Sequence, residues 1–151
     1  PMLIALGIIE IVFIIIAAGS FMGILGGTKM DQAITNSLIA IIPPAWGPHM
    51  SLITVFLSCP GTFFLSNDAF YYGIVPILAK TGAAYGVSSA EIARASLMGQ
   101  PIHFLSPLVG ALWVLLGLTN VSLGEIQKYA FPVAAAITVI YAIVGKMIGI
   151  I

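Results

Sequence analysis

Charged residues are scarce in this sequence of 151 residues: they make up 7% of the chain, against roughly 25% in an ordinary soluble domain. Five basic and five acidic residues give a formal net charge of zero, so the chain lacks the basic surface on which nucleic-acid binding depends. Hydrophobic residues make up 60% of the chain, a composition that excludes intrinsic disorder. We therefore expect an all-α, multi-pass membrane protein in contact with lipid and without a nucleic-acid partner.

Cysteine and the common enzyme motifs are also nearly or wholly lacking. The single cysteine, Cys59, cannot form a disulfide within the chain or a cysteine-ligated zinc cluster. The sequence contains no His-Glu-x-x-His, no Gly-x-Ser-x-Gly and no glycine-rich phosphate loop, so we expect no enzyme activity. The chain begins at Pro1, and its first apolar run lacks the basic leader and cleavage site of a signal peptide. We therefore expect it to be a fragment of a longer protein.

Two apolar runs are long enough to cross a bilayer, which takes about 20 residues. The first covers residues 2–25, where Glu10 is the one ionisable residue and is either a buried pairing group or a headgroup anchor. The second covers residues 125–151, with Lys146 near its far end, from which the side chain can extend to the headgroups. These runs predict the first and last membrane spans.

The next part of the chain has shorter apolar runs that are interrupted by proline, glycine and polar residues. Residues 31–47 predict a broken or interfacial helix that ends at Pro43-Pro44. Residues 48–80 predict a re-entrant hairpin, with two apolar arms and a polar tip at 58–68.

A second interruption follows within residues 89–119. Ser88 is a predicted N-cap with Glu91 as its capping-box partner, and the apolar run is broken at 100–106. This pattern predicts one discontinuous transmembrane helix. Irregular backbone persists in hydrocarbon only against protein or water, so the two interruptions predict a cavity, as in the substrate sites of secondary transporters.

Asp68 is the most informative single residue, because it lies between apolar segments where a carboxylate is costly to desolvate without a partner. We predict that it binds a cation, with capping of the returning helix as the structural alternative. Ser66 and Asn67, directly before it, either contact a ligand through hydroxyl and amide groups or simply form a turn.

His103 lies in the second interruption and has a side chain that changes charge near physiological pH. It is either a proton carrier or substrate donor, or a hydrogen-bonded histidine that supports the unwound turn. Tyr71 is either an aromatic residue of the membrane interface or a packing residue.

Several motifs resemble the citrate–metal:proton symporter family, which belongs to the ion transporter superfamily. They are residues 63–73 (FFLSNDAFYYG), 93–103 (ARASLMGQPIH) and 105–108 (LSPL), and residues 18–30 are similar to the family as well. Members of that family carry citrate complexed with Mg²⁺ or Ca²⁺ together with protons. The resemblance implies that this chain is the C-terminal half of a transporter built from two inverted halves. It also implies a missing N-terminal half, a homodimer and a location in the bacterial plasma membrane.

The resemblance also implies roles for individual residues. The Ser-Asn pair of the family's hairpin tip falls on Ser66-Asn67, and Asp68 stands where sodium-coupled dicarboxylate relatives often have threonine, which favours a divalent metal partner. Gln100 and Ser106 are expected to donate hydrogen bonds to carboxylate oxygens. The complete expected set is Thr62, Ser66, Asn67, Gln100 and Ser106 for substrate binding, Asp68 for the metal and His103 for proton coupling.

The expected function is therefore symport of a metal–citrate complex with protons. The metal ion is cargo, and we expect no resident cofactor. Two alternatives stay open: a sodium-coupled di- or tricarboxylate transporter, and a non-transporting membrane subunit whose broken helices dock a partner.

Overall fold

The computed structural model describes the backbone of residues 2–151 and most side chains; the exceptions are the side chains at 2–8, 10, 11, 14, 18 and 22. All regular structure in the described range is helical, which confirms the predicted all-α class. The elements in chain order are α1 (Met2–Gly27), α2 (Met30–Ile41), a 3₁₀ helix (Pro44–His49), α3 (Met50–Phe64), a π-helix (Ala69–Ile74), α4 (Val75–Ala84), α5 (Ser89–Leu97), α6 (Gln100–His103), α7 (Gly110–Thr119) and α8 (Leu123–Met147). The two alternatives for Glu10 fall on a side chain outside the described ones.

By length and composition, α8 is long and apolar enough to cross a membrane. The helix pair Met30–Ile41 and Pro44–Phe64 also passes this test if it counts as one span, although it bends by 110°. Within the described residues, the other apolar stretches are shorter, at Ile15–Gly27 and Gly110–Thr119.

The bend between α2 and α3 lies where the sequence predicts the end of a broken helix. Pro43 has an extended backbone (φ −57°, ψ 140°), because the ring of the following Pro44 disfavours the helical conformation in the residue before it. The Tyr85 hydroxyl lies 3.3 Å from the Ile39 carbonyl oxygen and 3.4 Å from that of Ile42, so it bonds to carbonyl groups that the end of α2 leaves unpaired. Its ring covers Gly47, where a Cβ would overlap it.

The polar tip is shorter than the predicted range of 58–68, because α3 continues as a helix to Phe64. The hydroxyl groups of Ser58 and Thr62 donate to the carbonyl oxygens of Val55 and Ser58, each at 2.7 Å, and this satisfies polar groups on the buried face. The backbone becomes extended at Leu65 (φ −110°, ψ 157°). Only residues 65–66 are non-helical, and the chain is helical again from residue 67.

The second interruption also differs in detail from the predicted break at 100–106. Helix α5 ends at Leu97, α6 forms one helical turn, and the chain is irregular over residues 104–109. Pro101 is accommodated in the first turn of α6, where the missing N–H has no intrahelical partner in any case. The irregular backbone therefore lies on both sides of a helical turn.

Helix caps fix two of the later helix starts. The predicted cap at Ser88 is present, with Ser88 Oγ accepting from the Glu91 N–H at 3.2 Å. A complete capping box begins α8, because Ser122 Oγ accepts from the Glu125 N–H while the Glu125 carboxylate accepts from the Ser122 N–H. This second cap was not predicted, and α8 starts two residues before the predicted 125.

Helix α3 lies at the centre of the fold and packs against α5, α6 and α4. Its buried face is lined by small polar residues that are fully buried: Ser51, Thr54, Ser58 and Thr62. Small side chains allow close helix approach, and the closest is at Gly99, where a Cβ would overlap Ser58 Oγ and crowd the α3 backbone. The second interruption therefore lies directly against the end of α3.

Candidate functional site

The end of α3, the start of the returning chain and the second interruption meet at one place, which we call the α3–α6 junction (residues 62–71 and 99–106). Gly99 brings the backbone before α6 onto α3, and the Phe70 ring lies on Gly61, where a Cβ would overlap it. These contacts bring together two segments that are more than 25 positions apart in the sequence. The junction contains all seven residues of the expected site.

A chain of polar groups joins the two segments. Gln100 Nε2 lies 3.3 Å from Asn67 Oδ1 and 2.5 Å from the Tyr71 hydroxyl oxygen. The Tyr71 hydroxyl in turn lies 3.3 Å from the Ser96 carbonyl oxygen. Asn67, Tyr71 and Gln100 are half-buried, so their remaining polar atoms can reach a ligand. The structure thus links Gln100 to Asn67. It also places Tyr71 in this chain of hydrogen bonds, whereas the sequence left open whether Tyr71 is a membrane-interface or a packing residue.

His103 is buried, and its Nδ1 lies 2.6 Å from the Thr62 carbonyl oxygen. A carbonyl oxygen only accepts hydrogen bonds, so Nδ1 carries the proton in this contact. This is the hydrogen bond that a histidine supporting the turn requires. It leaves Nε2 as the nitrogen at which proton exchange with a substrate or water would take place.

Thr62 and Ser106 are fully buried, and both hydroxyl protons go to backbone carbonyl groups. Thr62 donates to Ser58, as described above, and Ser106 donates to the Phe63 carbonyl oxygen at 2.6 Å. Ser106 Oγ also accepts from the Leu108 N–H at 3.2 Å. In this conformation, the proton that Ser106 was expected to donate to a carboxylate is therefore used by the backbone, and both residues hold the junction together.

Ser66 and Asp68 lie on the open side of the junction, and both are exposed. Ser66 Oγ accepts from the Ala69 N–H at 3.2 Å, which is the contact of an N-cap serine at the start of the returning helix. The Asp68 side chain makes no capping hydrogen bond at the start of the π-helix. Capping, the structural alternative for Asp68, is therefore not what its carboxylate does in this structure.

Asp68 lines a cavity of about 600 Å³ between α1 and the returning chain. The other lining residues are apolar or bear only a phenol: Ala17, Phe21, Leu65, Ala69, Tyr72, Gly73, Ile74 and Ile77. Among the described residues that line this cavity, Asp68 is thus the one with a carboxylate.

The described residues include no group of three or more His, Cys, Asp or Glu side chains placed to hold a metal ion. Divalent hard cations take six or more oxygen ligands, and Asp68 with nearby amide or hydroxyl oxygens supplies only some of them.

Two polar contacts outside the expected site residues were not predicted. Asp31 on α2 forms an ion pair with Lys80 on α4, and the Asp31 side chain is only 6% exposed. Gln127 on α8 donates from Nε2 to the Leu105 carbonyl oxygen at 2.9 Å, and this pairs a carbonyl group of the irregular segment. One feature of the sequence could have indicated the Asp31 contact: a charged residue within a mostly apolar stretch. That feature identified Asp68 and was not applied to Asp31.

Comparison with known proteins assigns the chain to a group of transporters. It is 51% identical over 147 residues, 97% of its length, to a citrate transporter of Bacillus subtilis (strain 168). It is 45% identical over 135 residues, 89% of its length, to a Mg(2+)/citrate complex secondary transporter of the same organism. This chain is a homologue of bacterial citrate transporters. The match confirms the resemblance found in the sequence motifs.

A third relative in the same organism, Uncharacterized transporter YraO, is 44% identical over 141 residues. The chain spans about a third of the length of these relatives, at 34%, 32% and 31%. All three are named as transporters and not as enzymes, as the missing enzyme motifs predicted. No protein-family profile and no solved structure matches the chain. With its apolar helices, this homologue of transporters is a membrane protein.

Proposed function

We propose that this chain is part of a secondary active transporter that carries citrate as a divalent metal complex in symport with protons. The observation that carries the proposal is the contact between Gln100 and Asn67, which joins the two interruptions beside Asp68. The names of two relatives, a citrate transporter and a Mg(2+)/citrate complex secondary transporter, support the same substrate.

The charge of the junction favours the metal complex over free citrate. Citrate carries three carboxylates, and residues 62–71 and 99–106 contain Asp68 but no lysine or arginine. Free citrate would therefore meet a site without a fixed positive charge, whereas a bound divalent cation lowers the charge of the complex. Asp68 then binds the cation through a coordination position that citrate leaves open.

The other site residues divide into two groups in this proposal. Asn67 and Gln100 contact the complex through their amides, and Ser66 contributes its hydroxyl at the exposed edge. Thr62 and Ser106 keep the backbone of the junction in place, because their hydroxyl protons are already bonded to carbonyl groups. His103 carries the coupled proton at Nε2, while Nδ1 stays bonded to the Thr62 carbonyl group.

We also propose how these elements lie in the membrane. Helix α3, the π-helix and α4 form a re-entrant hairpin, and α5, α6 and α7 form a discontinuous helix. They constitute one of two inverted halves, and the other half supplies the opposite side of the site. The complete transporter is a multi-pass homodimer in the bacterial plasma membrane.

The test is uptake of labelled citrate by the full-length protein in proteoliposomes, with Mg²⁺, Ca²⁺ or Na⁺ and an imposed pH gradient. The proposal predicts uptake that requires a divalent cation and is driven by protons. Uptake that is indifferent to both divalent cations would overturn the metal-complex version. A requirement for Na⁺ alone would favour the sodium-coupled alternative.

Binding distinguishes transport from a purely structural role. Purified full-length protein should show a higher thermal midpoint when citrate and Mg²⁺ are added together. If neither citrate nor any cation shifts the midpoint, and no uptake is seen, the non-transporting subunit is the better description.

A further inference from the structure

The hydrogen bonds around Tyr71 fix the direction in which the Gln100 amide points. The Tyr71 hydroxyl has one proton and two neighbours, the Ser96 carbonyl oxygen at 3.3 Å and the Gln100 amide at 2.5 Å. The carbonyl oxygen only accepts, so the Tyr71 proton goes to Ser96. In this arrangement Tyr71 accepts from Gln100 Nε2, and Gln100 Oε1 is turned away from Tyr71.

The same bond fixes the amide of Asn67. Gln100 Nε2 donates to Asn67 Oδ1 at 3.3 Å, so the oxygen of Asn67 faces Gln100 and its Nδ2 points elsewhere. Within the described residues, no hydrogen bond uses Gln100 Oε1 or Asn67 Nδ2. The two atoms left for a ligand are therefore one acceptor and one donor.

The Tyr71 ring is held in place independently of its hydroxyl group. It makes an edge-to-face contact with Phe70, with 5.4 Å between the ring centroids, and Phe70 is fully buried. Both residues lie in the π-helix Ala69–Ile74. Such wide turns are frequent at functional sites, because the extra residue changes the direction of the side chains in that turn.

We propose that Tyr71 is a positioning residue that sets the polarity of the substrate site. Through it, Gln100 presents Oε1 to the metal ion of the complex, and Asn67 presents Nδ2 to a carboxylate oxygen. A neutral amide oxygen suits a hard divalent cation, which prefers oxygen ligands. This inference rests on the proposed function, and it reverses the donor role that the sequence suggested for Gln100.

The main test is binding of the Mg²⁺–citrate complex to the full-length protein by isothermal titration calorimetry, in the wild type and in Tyr71→Phe. Phenylalanine keeps the ring contact and removes the acceptor, so the Gln100 amide is free to rotate. We expect the dissociation constant to rise on the order of 3- to 10-fold, the range of one hydrogen bond, with the number of binding sites unchanged. The matched control is Tyr141→Phe in α8, an exposed tyrosine outside the junction, where removal of the hydroxyl should leave the constant unchanged.

A merely structural tyrosine gives a different result. In that case Tyr71→Phe lowers the thermal midpoint and the fraction of protein that binds, while the dissociation constant of the remaining sites equals that of the wild type. That result would overturn the inference. An absence of citrate binding in the wild type would instead overturn the proposed function, so the two failures are distinguishable.

A second variant tests the polarity of Gln100 directly and does not depend on how well Tyr71→Phe folds. Gln100→Glu keeps an oxygen toward the ligand and cannot donate when ionised. The variant loses the Nε2 donor to Tyr71 and Asn67, so part of the affinity is lost. If Oε1 meets the metal, the loss stays within about tenfold, because a carboxylate is also a good ligand for the ion. If Gln100 instead donates to a citrate carboxylate, the added charge repels the substrate and binding is lost, which would contradict the inference.

Discussion

The contact between α2 and α4 and the α3–α6 junction each contain one aspartate, and the two carboxylates have opposite surroundings. Asp31 is buried and bonded on both oxygens, to the Gln32 N–H at 2.8 Å and to the Lys80 ammonium group. Asp68 is exposed and lines a cavity whose other described lining side chains carry no charge. A carboxylate whose acceptor sites are filled contributes to structure, whereas an unfilled one in apolar surroundings is available to a ligand.

The comparison predicts that the Asp31 site controls stability, and this is the largest effect we expect. Lys80→Met leaves the buried carboxylate without its partner and should lower the free energy of unfolding by about 2–3 kcal/mol. This loss is smaller than for a fully buried ion pair, because the Lys80 side chain is half exposed. Asp31→Asn should cost less, because it removes the buried charge. Thermal unfolding of the full-length protein in detergent measures both, and equal midpoints for Lys80→Met and the wild type would contradict the assignment.

The second prediction concerns the packing that supports the junction. Gly99→Ala adds a Cβ that overlaps Ser58 and should cost about 1–3 kcal/mol, as overpacking does elsewhere. The matched control is Gly117→Ala in α7, where a Cβ meets nothing within 4 Å and should stabilise the helix by up to about 1 kcal/mol. The same thermal measurement applies. If the two variants behave alike, the close approach at Gly99 does not matter to the fold.

The third prediction is the counterpart of the first at Asp68. Asp68→Asn should weaken Mg²⁺–citrate binding about tenfold or more, which is ~1.4 kcal/mol, because the metal loses a charged ligand. The thermal midpoint without ligand should stay within about 0.5 kcal/mol of the wild type, since no bond of the fold is lost. Unchanged metal-dependent uptake would remove Asp68 from the site and leave the rest of the proposal intact.

The fourth prediction concerns proton coupling at His103, with only a small effect on stability. His103→Asn places an amide N–H where Nδ1 now donates to Thr62, so the fold should lose less than about 1 kcal/mol. The variant cannot change charge near neutral pH, and proton-driven accumulation of citrate should fall while binding persists. His49→Asn, at an exposed histidine of the 3₁₀ helix, is the matched control. Full accumulation in His103→Asn would make His103 a structural residue only.

Much of the fold follows from local sequence. The apolar run that became α8, the bend after Pro43 and the cap at Ser88 depend on composition and on residues within one or two turns. The non-helical part of the first interruption is shorter than the predicted tip, because α3 continues to Phe64. Pro60 and Gly61 usually break helices, but the Phe70 ring packs on Gly61 and the α3 hydroxyl groups satisfy nearby carbonyl groups.

The sequence indicates which two segments form the candidate site. It does not indicate which of their side chains form hydrogen bonds with one another. Asp68 stands out because a lone carboxylate in apolar sequence is rare, and Asn67 and Gln100 lie in the two interruptions. Nothing in the sequence indicates that Tyr71 contacts Gln100. These residues meet only because Gly99 lets one backbone approach another.

The sequence by itself determined that this protein is helical and apolar, that its helices are interrupted at two places, and to which transporters it is related. Those properties depend on composition, on short-range backbone preferences and on motifs, all of which are contiguous along the chain. The tertiary structure decided which carboxylate is paired, which hydroxyl groups are occupied and which way the Gln100 amide points. Hydrogen bonds between distant segments depend on how closely their backbones pack, and side-chain volumes at a few contacts set that distance.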